Sequence, residues 1–174
     1  MPQLLFICGL PGSGKSTLGK KIANKLNFKF VDLDIQVLND SGISPAQWIS
    51  EHSDEVFRKR EAETLRKINL NENLVVSCGG GTPCFEGNLD WMLQQGICIY
   101  LDVPEGMVLS RLQQAEPGAR PLINDIDPLA SLREIIESRK DCYSRIPHKI
   151  EPHKVSFADL VDWIRSVLKQ DQPK

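Results

Sequence analysis

No apolar run in this sequence approaches the roughly 20 residues that a membrane-crossing helix requires, which sets aside an integral membrane helix. No C-x-x-C pair occurs among the cysteines, Cys8, Cys78, Cys84, Cys98 and Cys142, and their odd number argues against a disulfide framework. Cys8, Cys78 and Cys98 lie at apolar strand positions and read as buried thiols. His52, His148 and His153 have no metal-ligand spacing. Charge of one sign is also missing: 21 Lys and Arg stand against 23 Asp and Glu, so neither a polyanion-binding face nor an acidic tail is implied. There is no internal repeat and no low-complexity segment. The first apolar strand starts directly after the N-terminus, with no room for a signal peptide, so a cytoplasmic location is the expectation. No exposed apolar stripe stands out, which makes a monomer the default. At 174 residues and 41% hydrophobic content, one domain over 1–174 with one core is expected.

What the chain does contain begins at Gly9-Leu10-Pro11-Gly12-Ser13-Gly14-Lys15-Ser16-Thr17, which fits G-x-x-x-x-G-K-[ST]. That pattern binds phosphate only between a buried strand and a helix N-terminus. Leu4-Leu5-Phe6-Ile7-Cys8 reads as the strand, and Leu18, Ile22, Ala23 and Leu26 recur at helical spacing after it. The glycines let backbone N–H groups encircle a phosphate, and the helix dipole adds positive potential. Gly12, Ser13, Gly14, Lys15, Ser16 and Thr17 are therefore the candidate ATP-binding residues. Lys15 is read as reaching the β- and γ-phosphates, and Ser16 as offering a hydroxyl to Mg²⁺.

Further strands are expected at Lys29–Asp32, Leu74–Cys78, Ile97–Leu101 and Lys149–Glu151, alternating with helical segments. These include Ser53–Leu70, with Ser53 as N-cap, Asn88–Gln95, a helix from Glu105, Leu129–Tyr143, and a last helix opened by a Ser156–Asp159 capping box. Such alternation implies an α/β, three-layer fold: a parallel sheet of about five strands with helices on both faces. Ligands then bind at the carboxyl edge of the sheet. Gln113–Asp127 keeps no period and holds Pro117, Gly118 and Pro121, so about 112–127 is read as a lid.

Several residues converge on that edge. Asp32 and Asp34, two apart, would face one side of an extended segment. Asp32 is assigned with Ser16 to Mg²⁺, whose ligands are oxygens, and Asp34 to the acceptor hydroxyl. Gly79-Gly80-Gly81 ends a buried strand and would let a small ligand rest on bare backbone. Arg58 and Arg139 could clamp a carboxylate bidentately, although each taken alone reads as a surface arginine. Arg120 in the lid could stabilise charge on a transferring phosphoryl group, and Arg111 lies just before it.

Together these pieces resemble shikimate kinase, one of the P-loop kinases of the nucleoside-monophosphate-kinase-like group. The matching segments are the phosphate loop, Asp32-Leu33-Asp34, Phe57-Arg58, Gly79-Gly80-Gly81, Arg120-Pro121-Leu122, and Arg139 with Tyr143, so the resemblance covers most of the chain. It implies ATP-dependent phosphorylation of the shikimate 3-hydroxyl, in the route to chorismate and the aromatic amino acids. Asp34, Arg58, Gly80 and Arg139, with Gly79 and Gly81 beside them, fall where the family binds shikimate. Arg111 and Arg120 fall where it contacts nucleotide, and the adenine-side loop would lie near Pro152–Lys154. Lys15, Asp34 and Arg120 are the expected catalytic set. The chain departs from the family pattern at Trp48-Ile49, at Ser53-Asp54 and through Gln113–Ala119, positions that touch pocket shape and lid motion. A kinase for another polyol acid such as gluconate, a nucleoside-monophosphate kinase and a non-catalytic ATP-binding sensor are the competing readings.

Overall fold

The computed structural model describes residues 2–114 and 126–170. Its sheet holds β1 (Leu4–Gly9), β2 (Lys29–Asp32), β3 (Leu74–Ser77), β4 (Ile97–Leu101) and β5 (His148–Ile150) in the order β2-β3-β1-β4-β5. Every neighbouring pair is parallel. β1 takes the centre because all six of its residues are buried; an edge would leave part of that apolar run in water. Ile7 faces α1 (Lys15–Leu26), so closely that a Cβ on Gly19 would come within 3.2 Å of its Cδ1. The adjacent Phe6 faces the other way and meets Trp91 of α5 (Asn88–Gln95), edge to face at 6.1 Å. One strand thus fills two interfaces, and each large side chain it buries contributes about 1.5–3 kcal/mol. The expected parallel sheet of about five strands between helical layers is what forms.

The remaining helices are α2 (Leu33–Ser41), α3 (Pro45–Glu51), α4 (Asp54–Arg66), α6 (Glu105–Gln113), α7 (Pro128–Ser144) and α8 (Phe157–Gln170). Ser53 caps α4 as anticipated, accepting from the Val56 N–H at 3.3 Å. The Ser156–Asp159 box also forms, with the Asp159 N–H donating to Ser156 Oγ at 3.1 Å.

Several boundaries differ from expectation. α4 stops at Arg66 rather than Leu70, where Asn69 turns the chain by accepting from the Asn71 N–H. α7 begins at Pro128, with Asp127 as N-cap accepting from the Ala130 N–H at 2.9 Å; a proline at the first helical position costs no hydrogen bond. The last strand lies one residue earlier than expected, at His148–Ile150.

The largest correction is α2, which sequence reading passed over. Asp32-Leu33-Asp34 is not an extended segment: the chain turns into a helix at Leu33. Asp32 Oδ1 caps it, accepting from the N–H groups of Asp34 at 3.1 Å and Ile35 at 3.4 Å. Leu33 and Val37, one turn apart, are completely buried and hold the helix down. Asp32 and Asp34 therefore do not alternate as strand residues do. The first closes the helix end and the second sits in its first turn, where the dipole favours a carboxylate. Most of the segment read as a lid, including Arg120, lies outside the described residues. Among those described, no helix is long and apolar enough to cross a membrane.

Candidate active site

The register brings Asp32 opposite Ser77, and Ser77 opposite Ile7, so β2 and β3 end level at the carboxyl edge while β1 runs on to Gly9. From that edge β1 runs into the phosphate loop. Gly12 (φ 77°) and Gly14 (φ 90°) hold left-handed conformations that side chains disfavour, and Gly14 serves as N-cap of α1. Lys15 is buried against its own loop, donating to the carbonyls of Gly9 at 3.1 Å and Leu10 at 2.9 Å. Those contacts hold the ammonium over the loop rather than in solvent. Ser16 Oγ lies 3.2 Å from Ser77 Oγ. Ser13 is buried, and its hydroxyl has no partner among the described residues.

Arg111 leaves α6 to donate to the Gly12 carbonyl at 3.2 Å. It lines a cleft of about 510 Å³ with Ser13, Gly14, Thr17, Met107, Pro152 and His153. The segment expected on the adenine side therefore shares a cavity with the phosphate loop.

The other side of the site is made by tertiary convergence. Arg58 and Arg139 were read singly as surface arginines, yet they are only 7% and 9% exposed. Arg58 pairs with Glu61 one turn along α4 at 2.8 Å, and with Asp54 at 3.1 Å. Glu61 has no exposed surface and accepts a second bond, from Thr82 Oγ1, at 2.5 Å. Its two carboxylate oxygens are thus divided between Arg58 and Thr82, which holds the guanidinium in one orientation. Burial pulls the Arg58 pKa down, but Glu61 and Asp54 outweigh it and keep the group above its ordinary value. Burial pushes the Glu61 carboxyl up; Arg58 and Thr82 pull it back, while the nearby Asp34 charge raises it further. Asp34 is thereby placed within electrostatic reach of the Arg58–Glu61 pair.

The triple glycine explains how these groups approach one another. A Cβ on Gly79 would overlap Glu61 Oε1. On Gly80 it would lie 3.0 Å from Pro11 Cδ and 3.1 Å from Arg139 Nη1, and on Gly81 it would lie 2.5 Å from Arg58 Cζ. Each glycine makes room for one member of the cluster. What lies on the bare backbone is a set of charged side chains, so the glycines shape the pocket through them. Arg139 Nη1 is buried without a hydrogen-bond partner among the described residues. An orphaned guanidinium N–H is costly and marks a position suited to an anionic group. Tyr143, one turn beyond Arg139 on α7, points its hydroxyl at the carbonyls of Gly9 (3.3 Å) and Gly80. It ties the phosphate loop to the triple glycine.

Comparison with known proteins decides the family. A model of the shikimate kinase family matches residues 11–168. This chain belongs to the shikimate kinase family. A family member from a Synechococcus species is 34% identical over 92% of this chain and 81% of its own length. One from a Sulfurihydrogenibium species is 32% identical over 95% of this chain and 98% of its own. Among solved structures, shikimate kinase from Acinetobacter baumannii in complex with shikimate superposes with a TM-score of 0.87 at 26% identity, covering 100% of this chain and 97% of that one. The Bacteroides thetaiotaomicron enzyme gives 0.85 at 27% identity, over 96% and 98%. A gluconokinase from Sinorhizobium meliloti gives 0.63 at 18% identity over 97% and 93%, a likeness of fold alone.

Of the residues expected for this family, Lys15, Ser16, Asp32, Asp34, Arg58, Gly79–Gly81, Arg111 and Arg139 all lie at the carboxyl edge. Arg120 is outside the described residues. Sequence reading missed Glu61 and Thr82. For Glu61 one signal was available: it stands three residues after Arg58 on a helix, at ion-pairing distance. Thr82 carried none, because its role depends on a partner 21 residues away.

Proposed function

We propose that this chain transfers the γ-phosphoryl group of ATP to the 3-hydroxyl of shikimate, acting as one P-loop kinase domain over 1–174. The observation that carries the reading is a locked Arg58 and an Arg139 Nη1 without a partner among the described residues, both set against the Gly79–Gly81 backbone, with the Asp34 charge near enough to be felt by Glu61. Two buried guanidiniums suit a carboxylate, and a hydroxyl on the same ring then falls toward the phosphate loop.

Each residue's part follows from its position. The loop N–H groups and the α1 dipole bind the ATP phosphates, and Lys15 exchanges its carbonyl contacts for phosphate oxygens. Arg58 and Arg139 hold the acceptor carboxylate. Asp34 accepts the acceptor hydroxyl's hydrogen bond and takes its proton as the new P–O bond forms. Arg120 is assigned to the charge that develops in transfer. The oxygen set of Ser16 and Asp32 fits Mg²⁺: the hydrogen bonds Asp32 accepts fall on Oδ1, leaving Oδ2 for the ion or its water. When bound, Mg²⁺ neutralises phosphate charge. A cytoplasmic monomer is the accompanying expectation.

ADP release in a coupled assay with MgATP tests the reading against shikimate, gluconate, quinate, AMP and no acceptor. Release with shikimate alone is expected. Release with gluconate would keep the kinase and reassign the pocket. Tight ATP binding with no turnover on any acceptor would favour the sensor.

A further inference from the structure

The Arg58 guanidinium is enclosed, and one of the groups around it is free to leave. Its Nη1 donates to Glu61 Oε2 at 2.8 Å. The Phe57 ring centre stands 5.0 Å from Cζ. The Gly81 backbone lies along Nε, Cζ and Nη1, so close that a Cβ there would come within 2.8 Å of each. Nη2 pairs with Asp54 Oδ1 at 3.1 Å. Glu61, Phe57 and Gly81 are all buried, whereas the Asp54 side chain is 51% exposed.

An incoming carboxylate therefore has one approach to this guanidinium. Nη1 is committed to Glu61, and the Gly81 backbone shields Nε. Nη2 remains, and a carboxylate of the protein already stands on it. Asp54 is also a position where the chain departs from the family pattern, and the mechanism above gives it no part.

We propose that Asp54 is an internal stand-in for the acceptor's carboxylate: it caps Arg58 Nη2 until a substrate carboxylate displaces it, and so sets a threshold on acceptor binding. This deepens the kinase reading given above and rests on it.

The physical case has two sides. Arg58 is buried, and a buried guanidinium N–H without an acceptor is costly. A protein carboxylate one helical turn earlier, in the first turn of α4, meets that need. The same cap is easily removed, because a pair with one half-exposed partner holds weakly and the departing carboxylate regains water. A buried cap such as Glu61 could not leave in this way, since its charge would stay in the protein interior. The two acids on Arg58 thus have different parts: Glu61 orients the guanidinium, and Asp54 keeps its outer N–H occupied.

The sign of the effect is what separates a stand-in from a support. If Asp54 held Arg58 in position, removing its charge would weaken acceptor binding. As a competitor, its removal strengthens it. Asp54→Asn should bind shikimate about 2–5-fold more tightly, the weight of one weak ion pair, with acceptor KM lowered to match and the KM for ATP nearly unchanged.

The test is calorimetric titration of the whole protein with shikimate, alongside the coupled assay, on the unaltered chain and three variants. Asp54→Asn is expected to show the gain. Asp54→Glu keeps the charge and should stay near the unaltered protein. Glu55→Gln removes an equal charge one residue along, from a side chain that pairs with Lys59 at 2.7 Å instead, and should also change little. Unchanged or weaker shikimate binding in Asp54→Asn would overturn the proposal, as would an equal gain in Glu55→Gln, which would reduce the effect to general charge. An unaltered protein that binds no shikimate would count against the kinase reading instead. The stand-in is then judged with acetate, which carries a carboxylate and nothing else of the acceptor. Its titration, followed at the Arg58 guanidinium NMR signal, should reach its midpoint at lower concentration in Asp54→Asn, and an unmoved midpoint would overturn the stand-in.

Discussion

Nine consecutive residues, Gly9–Thr17, make up the half of the site assigned to phosphate, whereas the half assigned to the acceptor draws on α2, α4, the Gly79–Gly81 backbone and α7. In the first half the groups proposed to bind are mostly backbone N–H groups, aimed by local conformation at Gly12 and Gly14. In the second they are side chains distant in sequence, brought together by packing and held by one another, as Glu61 holds Arg58 and is held by Thr82. A site made from backbone is rigid once the strand and helix around it form. A site made from side chains is only as well placed as its supports, so damage well away from the reacting atoms can disable it.

The largest effect expected tests the boundary between the halves. Asp34→Asn removes the group proposed as proton acceptor while leaving the phosphate loop intact. Turnover should fall about 10²–10⁴-fold with ATP affinity retained, measured by the coupled assay and by titration. Near-normal turnover would remove Asp34 from the mechanism.

Next comes the support of the acceptor half. Arg58→Ala leaves Glu61 buried without its cation, and breaking such a pair costs about 3–5 kcal/mol. A lower denaturation midpoint should accompany a raised acceptor KM and an unchanged ATP KM. The double variant Arg58→Met/Glu61→Leu should recover much of the stability and none of the acceptor binding. If both variants lost stability equally, the cost would lie in packing and not in the unpaired charge.

A matched pair of glycine variants sharpens the contrast. Gly79→Ala should cost about 1–3 kcal/mol through overpacking and raise acceptor KM, since the new methyl displaces Glu61. Gly14→Ala should cost about 1–2 kcal/mol because its φ of 90° lies outside the ordinary range of L-residues, and should raise the KM for ATP. Identical kinetic signatures would dissolve the distinction between a conformational glycine and a clearance glycine. The smallest effect belongs to the link between the halves. Tyr143→Phe removes one hydroxyl donor, worth about 1 kcal/mol, and should raise both KM values slightly.

The sequence was most legible where function depends on local conformation. The phosphate loop, β1 and the helix after it were readable because pattern and period describe contiguous residues. The parallel sheet followed from alternation of elements. α2 was passed over because Asp32-Leu33-Asp34 suits a strand end as well as a helix cap, and burial of Leu33 and Val37 decides between them. The acceptor residues were nameable through resemblance, but their burial was not. An arginine on a polar helix reads as exposed until its partners are known.

By itself, then, the sequence determined the phosphate loop, the fold class and the family, all of which rest on short-range pattern. Only the tertiary structure decided that Arg58 is locked by Glu61 and Thr82, that one Arg139 N–H has no partner among the described residues, and that Gly79–Gly81 are bare to admit them. The physical reason is that burial and pairing belong to surfaces in contact. Arg58 and Glu61 pair within one helix, but the Thr82 hydroxyl that completes Glu61 and the bare Gly79–Gly81 backbone that admits both come from a separate segment.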